Sequence, residues 1–120
     1  MPSLCLVAGD HSGDAHAAHL IRALKNKKPD LTFFGLGGPA MREAGMETLE
    51  ELTRAAAIGP FDAARHLSIL MRAKKRLEER LKTQPCDLAV LVDFGDYNLP
   101  AIAPLIHSRG IPIVYYISPQ

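Results

Sequence analysis

Two short segments hold the residue types that chemistry uses most. Gly9-Asp-His-Ser-Gly-Asp14 places a hydroxyl and two carboxylates around a pair of glycines, and Asp93-Phe-Gly-Asp-Tyr-Asn98 places two carboxylates three residues apart. Each begins where an apolar run stops. In the first, glycines let the backbone come close to a ligand, and a helix start behind them offers N–H groups. The spelling is neither G-x-G-x-x-G nor a Gly-Lys-Ser/Thr phosphate loop, so a nicotinamide cofactor is not expected. An equally good reading makes Ser12 the N-cap of the helix and sets Asp14 beside its positive end, and spelling alone does not choose between capping and ligand contact. In the second, a carboxylate at the end of a buried strand loses solvation, which moves Asp93 toward general-base usefulness. Asp96 can orient it or cap the next helix. Asp93 can equally start an Asx-turn, with Asn98 capping the helix that follows. Nothing else in the chain completes a metal shell around this pair, so neither a metal nor a cofactor is expected.

Other candidates read as structural. His16 and His19 lie one helical turn apart but lack the H-E-x-x-H pattern and a third ligand, so they read as polar-face residues, as do His66 and His107 on their helices. Tyr115 and Tyr116 read as packing on either side of the last strand. Cys5 and Cys86 are isolated, with no C-x-x-C, and read as buried packing residues in a reducing, cytosolic compartment.

The elements that must position these residues alternate between short apolar runs and amphipathic stretches, the signature of βαβ units on a parallel sheet. Residues 4–8 read as a strand buried on both faces, and residues 13–26 as a helix with Ala17, Leu20, Ile21 and Leu24 in register. Residues 31–35 read as a second strand, 35–39 as a tight turn into a short helix that Gly45 caps, and 46–49 as a third strand. Residues 50–59 carry no clear signal. A long amphipathic helix is expected over 61–82, with Pro60 at its start, Leu67, Leu70, Met71, Leu77 and Leu81 in register, and Phe61, Leu67, Ile69, Leu70 and Met71 on a broad apolar face. Its other side carries Arg65, Arg72, Lys74, Lys75, Arg76 and Arg80, either a solvated face or a surface for anionic membrane. Pro85 ends the connection, residues 88–92 form the clearest strand, 98–108 a helix with Pro100 in its first turn, and 111–117 the last strand. The pattern specifies an α/β fold with a doubly wound, Rossmann-like parallel sheet, in which ligands bind beyond the carboxyl ends of the strands. Three segments reach that edge: 9–14, 93–98 and Ser118-Pro-Gln120.

The whole chain is 120 residues, 48% apolar and 22% charged, about one domain's worth of ordinary globular composition. Fourteen basic against thirteen acidic residues leave +1, which speaks against a nucleic-acid partner held by a broad basic surface. No apolar run approaches the ~20 residues of a spanning helix, and the start lacks the features of a signal peptide. A helix should follow the last strand to cover it, so the chain is expected to be the first part of a longer protein.

In sequence, Leu6-Val-Ala-Gly-Asp-His-Ser-Gly-Asp14, Leu20-Ile-Arg-Ala-Leu24, Phe34-Gly-Leu-Gly-Gly-Pro39 with Met41 and Gly45, Val92-Asp-Phe-Gly-Asp-Tyr-Asn98 and Tyr116-Ile-Ser-Pro-Gln120 together resemble the opening of the bacterial lipid-A-disaccharide synthase family, in order and at the expected spacing. The resemblance implies the N-terminal, acceptor-side half of a GT-B glycosyltransferase, with residues 1–120 an incomplete Rossmann-like domain and the C-terminal UDP-sugar-binding domain outside this chain. It implies an inverting, metal-independent enzyme of lipopolysaccharide synthesis that joins UDP-diacylglucosamine to lipid X and releases UDP, peripheral on the cytoplasmic face of the inner membrane. By position, Asp93 matches the family's proposed general base, Ser12, Gly13 and Asp14 its glycine-rich cleft loop, and Asp96 and Asn98 the rest of its aspartate motif. The chain departs from the family at Asp10, usually Glu, at Gly95, usually Pro, and at Ile58-Gly-Pro-Phe-Asp-Ala-Ala64, which carries less apolar bulk than usual. The 120 residues alone are expected to be inactive. Two other functions fit the same residues: a GT-B transferase with another sugar acceptor, and a non-catalytic small-molecule-binding or flavodoxin-like module.

Overall fold

The computed structural model describes residues 2–58, 62–84 and 86–116. Along the chain come β1 (Ser3–Ala8), α1 (His11–Lys27), β2 (Thr32–Gly37), α2 (Pro39–Glu43), β3 (Glu47–Glu51), α3 (Thr53–Ala57), α4 (Ala63–Thr83) and β4 (Leu88–Val92). Then α5 (Gly95–Tyr97) runs through a π-helical stretch (Asn98–Ile102) into α6 (Ala103–His107), and β5 (Ile113–Tyr116) follows. The strands pair in parallel in the order β3-β2-β1-β4-β5. Successive side chains of a strand point to opposite faces, so a strand covered on both sides must be apolar throughout. Leu4, Leu6, Ala8, Val90 and Val92 meet Ala17, Ala18, Ile21 and Met41 of α1 and α2 on one face. Cys5, Val7, Ala89 and Leu91 meet Ala73, Leu77 and Leu81 of α4 and Ile102 and Ile106 on the other. The doubly wound, Rossmann-like sheet expected from the alternation is the fold observed.

Several local expectations are corrected. Asp10, not Ser12, is the N-cap of α1: its carboxylate accepts from the Gly13 amide at 2.6 Å, and the helix begins at His11, leaving Ser12 inside the first turn. Residues 35–37, read as a turn, belong to β2. Gly35 has a φ of +154° and lies so close to β1 that a Cβ would strike the Leu6 carbonyl oxygen, at a register shift between Gly35 and Leu36. Gly45 ends α2 as expected, at φ +109°, with its amide on the Arg42 carbonyl (3.0 Å) and the Met46 amide on that of Met41 (3.1 Å), the paired bonds of a Schellman motif.

On α4 the buried stripe is Ile69, Ala73, Leu77 and Leu81, while Leu67 and Met71 are 56% and 63% exposed. The reason lies across the helix, on β3. Arg72 grips the buried Glu50 with two hydrogen bonds of 3.2 Å and Arg76 pairs with it at 3.3 Å. Arg80 pairs with Glu47 at 3.4 Å and lies over the Phe34 ring, 4.2 Å from its centroid. Half of the six basic residues read as a free face are thus tied to the sheet edge.

The last helical segment starts at Gly95 rather than Asn98, because the chain reverses at once after Asp93. Pro100 falls within the π-helical stretch, where a residue without an N–H and with a ring against the preceding turn is accommodated by widening it. Cys5 and Cys86, distant in sequence, are both buried free thiols, and the neighbouring Cys86 thiol together with burial holds the Cys5 thiol well above its ordinary pKa. Expectations that fall on Pro60, Phe61, Pro85, Ile117 and Ser118-Pro-Gln120 lie outside the described residues. Among the described residues no helix is long and apolar enough to cross a membrane.

Candidate functional site

The sheet order reverses direction at β1 and β4, and the loops leaving those two central strands flank a crevice at their carboxyl ends. The loops interlock. A Cβ on Gly9, just after β1, would collide with the ring of Phe94, just after β4. The Phe94 ring therefore occupies the space above a bare backbone, and it leans on Tyr97 at a centroid distance of 5.7 Å. This close approach is what the glycine at position 9 permits.

Asp93 and Phe94 both adopt positive φ, +47° and +52°. For residues with a Cβ this costs roughly 1–2 kcal/mol each, so surrounding bonds must hold them. The Asp93 amide donates to the Tyr116 carbonyl at 2.8 Å. Its carbonyl accepts from the Asn98 side-chain amide at 2.8 Å and from the Tyr115 hydroxyl at 2.9 Å. Asn98 is fully buried and also reaches the Val92 carbonyl at 3.4 Å and that of Val7 at 3.5 Å. Its Oδ1 is buried without a hydrogen-bond partner among the described residues. Burial, together with the Asp93 and Asp96 carboxylates, pushes the Tyr115 phenol above its ordinary pKa. Burial does the same to Tyr97, whose hydroxyl donates to the Leu70 carbonyl of α4 at 2.6 Å. The Asp93 side chain is half-buried, and Asp96 is exposed in the first turn of α5.

The loop after β1 divides its residues differently from the sequence reading. Ser12 is exposed. Gly13 is buried, and a Cβ on it would lie 3.0 Å from Asp10 Oδ1 and 3.6 Å from Val92 Cγ1. Asp14 is only 3% exposed, and its carboxylate faces the start of α2. Oδ1 accepts from the amides of Gly38 (3.1 Å) and Met41 (2.9 Å), and Oδ2 from that of Ala40 (3.0 Å). A side chain on one helix thus caps another. Gly38 gives it room, since a Cβ there would come within 2.5 Å of Asp14 Oδ2.

The expected residues thus fall into two groups. Ser12 and Asp96 are exposed and Asp93 is half-buried on the rim formed by the segments that leave β1 and β4, while Gly13, Asp14 and Asn98 are buried. Beside the rim, a cavity of about 240 Å³ between α1 and the β4–β5 edge is lined by His16, Ala17, His19, Leu20, Val92 and Tyr116. His16 and His19, read as polar-face residues, border it, and the His16 and Tyr116 rings lie 6.3 Å apart. It is smaller than the ~300–1,000 Å³ of pockets that enclose drug-sized ligands. Among the described residues no three His, Cys, Asp or Glu side chains gather as metal ligands. Phe94 went unread in the sequence, and Tyr115, read as a packing residue, packs against the core but also brings its hydroxyl to Asp93. Tyr115 sits opposite Leu91 in the β4–β5 register, which carries its hydroxyl to Asp93. Only that register discloses its reach.

Fold and site define an open α/β domain of the Rossmann-like class, with Asp93 at the end of β4 where its strand order reverses. A structural neighbour shares that fold: the C-terminal domain of a hydrogenase from Pyrococcus furiosus, at TM-score 0.65 and 16% identity, covering 96% of this chain and 91% of its own. The chain belongs to the lipid-A-disaccharide synthetase family, whose model matches residues 4–120. It is 40% identical over 117 residues to a lipid-A-disaccharide synthase of Geobacter sulfurreducens and 41% over 119 to one of Nitrosococcus oceani. To lipid-A-disaccharide synthase 1 of Legionella pneumophila it is 42% identical over 115 residues. These alignments cover 98%, 99% and 96% of this chain but 30% of each relative, so the chain spans about a third of the length of the curated proteins it matches.

Proposed function

We propose that this chain is the N-terminal, acceptor-side part of a GT-B lipid-A-disaccharide synthase, acting with a C-terminal domain that binds the UDP-sugar. In this reading Asp93 takes the proton from a hydroxyl of lipid X as that oxygen attacks the anomeric carbon of UDP-diacylglucosamine from the face opposite UDP. The C–O bond to UDP breaks with inversion, and UDP leaves with its electron pair. No metal or cofactor is assigned. The observation that carries the reading is Asp93 itself: a half-buried residue on a strained, hydrogen-bonded backbone at the end of β4, in a chain matched to this family over residues 4–120. Strain of this kind persists where the surrounding structure over-determines it, and it gathers at functional sites.

Ser12 supplies an accessible hydroxyl on the same rim and Asp96 a second carboxylate, both facing the acceptor, while Gly13, Asp14 and Asn98 set the shape of the loops. The exposed Leu67 and Met71, with Arg65, Lys74 and Lys75 on the same helix, support peripheral contact with the anionic inner face of the inner membrane, where both lipid substrates reside. The test is an assay of the full-length protein with UDP-diacylglucosamine and lipid X. UDP and disaccharide should appear only when both substrates are present, and the 120-residue chain alone should produce neither. Disaccharide from that chain alone would contradict the division between domains. Turnover with a different sugar acceptor but not with lipid X would contradict the substrate assignment.

A further inference from the structure

Three of the hydrogen bonds on the Asp93 backbone come from different places. The amide bond to Tyr116 continues the β4–β5 ladder, and the Asn98 bond comes from the helix that Asp93 itself introduces. The third comes from a side chain on the neighbouring strand: the Tyr115 hydroxyl, 2.9 Å from the Asp93 carbonyl oxygen. Tyr115 packs its ring against the core that holds Leu91 and Tyr97, so its hydroxyl is delivered by a side chain with little freedom. A methyl group on Gly95 would lie 3.3 Å from that oxygen, so the turn closes tightly around it. Ladder and helix bonds of this sort accompany many strand-to-helix turns. A tyrosine from the adjacent strand, donating to the carbonyl of a residue at positive φ, serves the conformation of that one residue.

We infer that Tyr115 is a positioning residue for Asp93: its hydroxyl, beside the Asn98 amide on the same carbonyl, helps to hold the Asp93–Phe94 pair in the left-handed conformation that presents the carboxylate to the crevice. The inference rests on the base role proposed above for Asp93 and extends it to a residue on β5. A tyrosine phenol, with an ordinary pKa of about 10, is already protonated and a donor at neutral pH, and burial with the two nearby carboxylates moves it only further up.

The experiment is a double-mutant cycle in the full-length protein, measuring kcat and KM for wild type, Tyr115→Phe, Asp93→Ala and the double variant, with a thermal melt of each. Tyr115→Phe keeps the ring and its packing and removes one bond. The expected result is a fall in kcat of about tenfold, the rate equivalent of one hydrogen bond near 1.4 kcal/mol. KM should stay within about threefold of wild type, because the acceptor-binding surface is untouched. In the Asp93→Ala background the same substitution should cost nothing further, since there is no carboxylate left to position. A purely structural tyrosine would lower activity by the same factor in both backgrounds and in step with the melting temperature, and that result would overturn the inference. So would wild-type kcat in Tyr115→Phe beside a crippled Asp93→Ala, an outcome that leaves the proposed base in place. Wild-type kcat in Asp93→Ala would overturn the base role and, with it, the role given to Tyr115.

Discussion

Asp93 stands out in the sequence because five apolar residues stop at a carboxylate, and the structure places it directly after β4, where the strand order reverses beside β1. What surrounds it was not legible. Positive φ at two residues that are not glycine has no spelling, and Tyr115 reaches Asp93 only because β5 pairs with β4 in one particular register. Asp14 is a second case. Its spelling left helix capping and ligand contact equally open, and in the structure its carboxylate accepts three amides at the start of α2, which no spacing discloses. Asp14→Asn would turn an amino group toward one of those amides. The expected cost is about 1–3 kcal/mol of stability, read as a lower urea midpoint at unchanged slope. An unchanged midpoint together with a raised KM would mean that Asp14 serves the substrate rather than α2.

At the scale of elements, β4 and the Gly45 cap of α2 fall where periodicity and turn chemistry put them. The facing of α4 does so in part. Ile69, Leu77 and Leu81 are buried where their spacing puts them, whereas Leu67 and Met71, in register on the same helix, are exposed, and the spacing within one helix cannot rank them. Partners on another element decide: Glu50 and Glu47 of β3 draw Arg72, Arg76 and Arg80 to that side and fix the rotation of the helix. Glu50 is the centre of this clamp, with its side chain 5% exposed, while the guanidiniums of Arg72 and Arg76 are about half exposed. Those guanidiniums can regain water when their partner is lost, which limits the penalty. Glu50→Gln should therefore destabilise the domain by about 1–2 kcal/mol, measured by chemical denaturation, and the loss should shrink in high salt. Wild-type stability in that variant would show that the apolar stripe alone orients α4.

The architecture of the whole molecule was the most legible level, because apolar runs alternating with amphipathic stretches admit few arrangements other than a parallel sheet covered on both faces. Strand order added what the pattern lacked. With β1 and β4 side by side at the centre, segments eighty residues apart in the chain meet, and Gly9 accepts the Phe94 ring. The crevice so formed is the feature on which the proposed chemistry depends, and its carboxylate is the most direct place to test it. The decisive measurement is kcat/KM for UDP release by the full-length protein, wild type against Asp93→Ala, at equal melting temperature. A fall of roughly 10²–10⁴, the range for removing general-base assistance, is the expected result. Wild-type turnover without the Asp93 carboxylate would contradict the account.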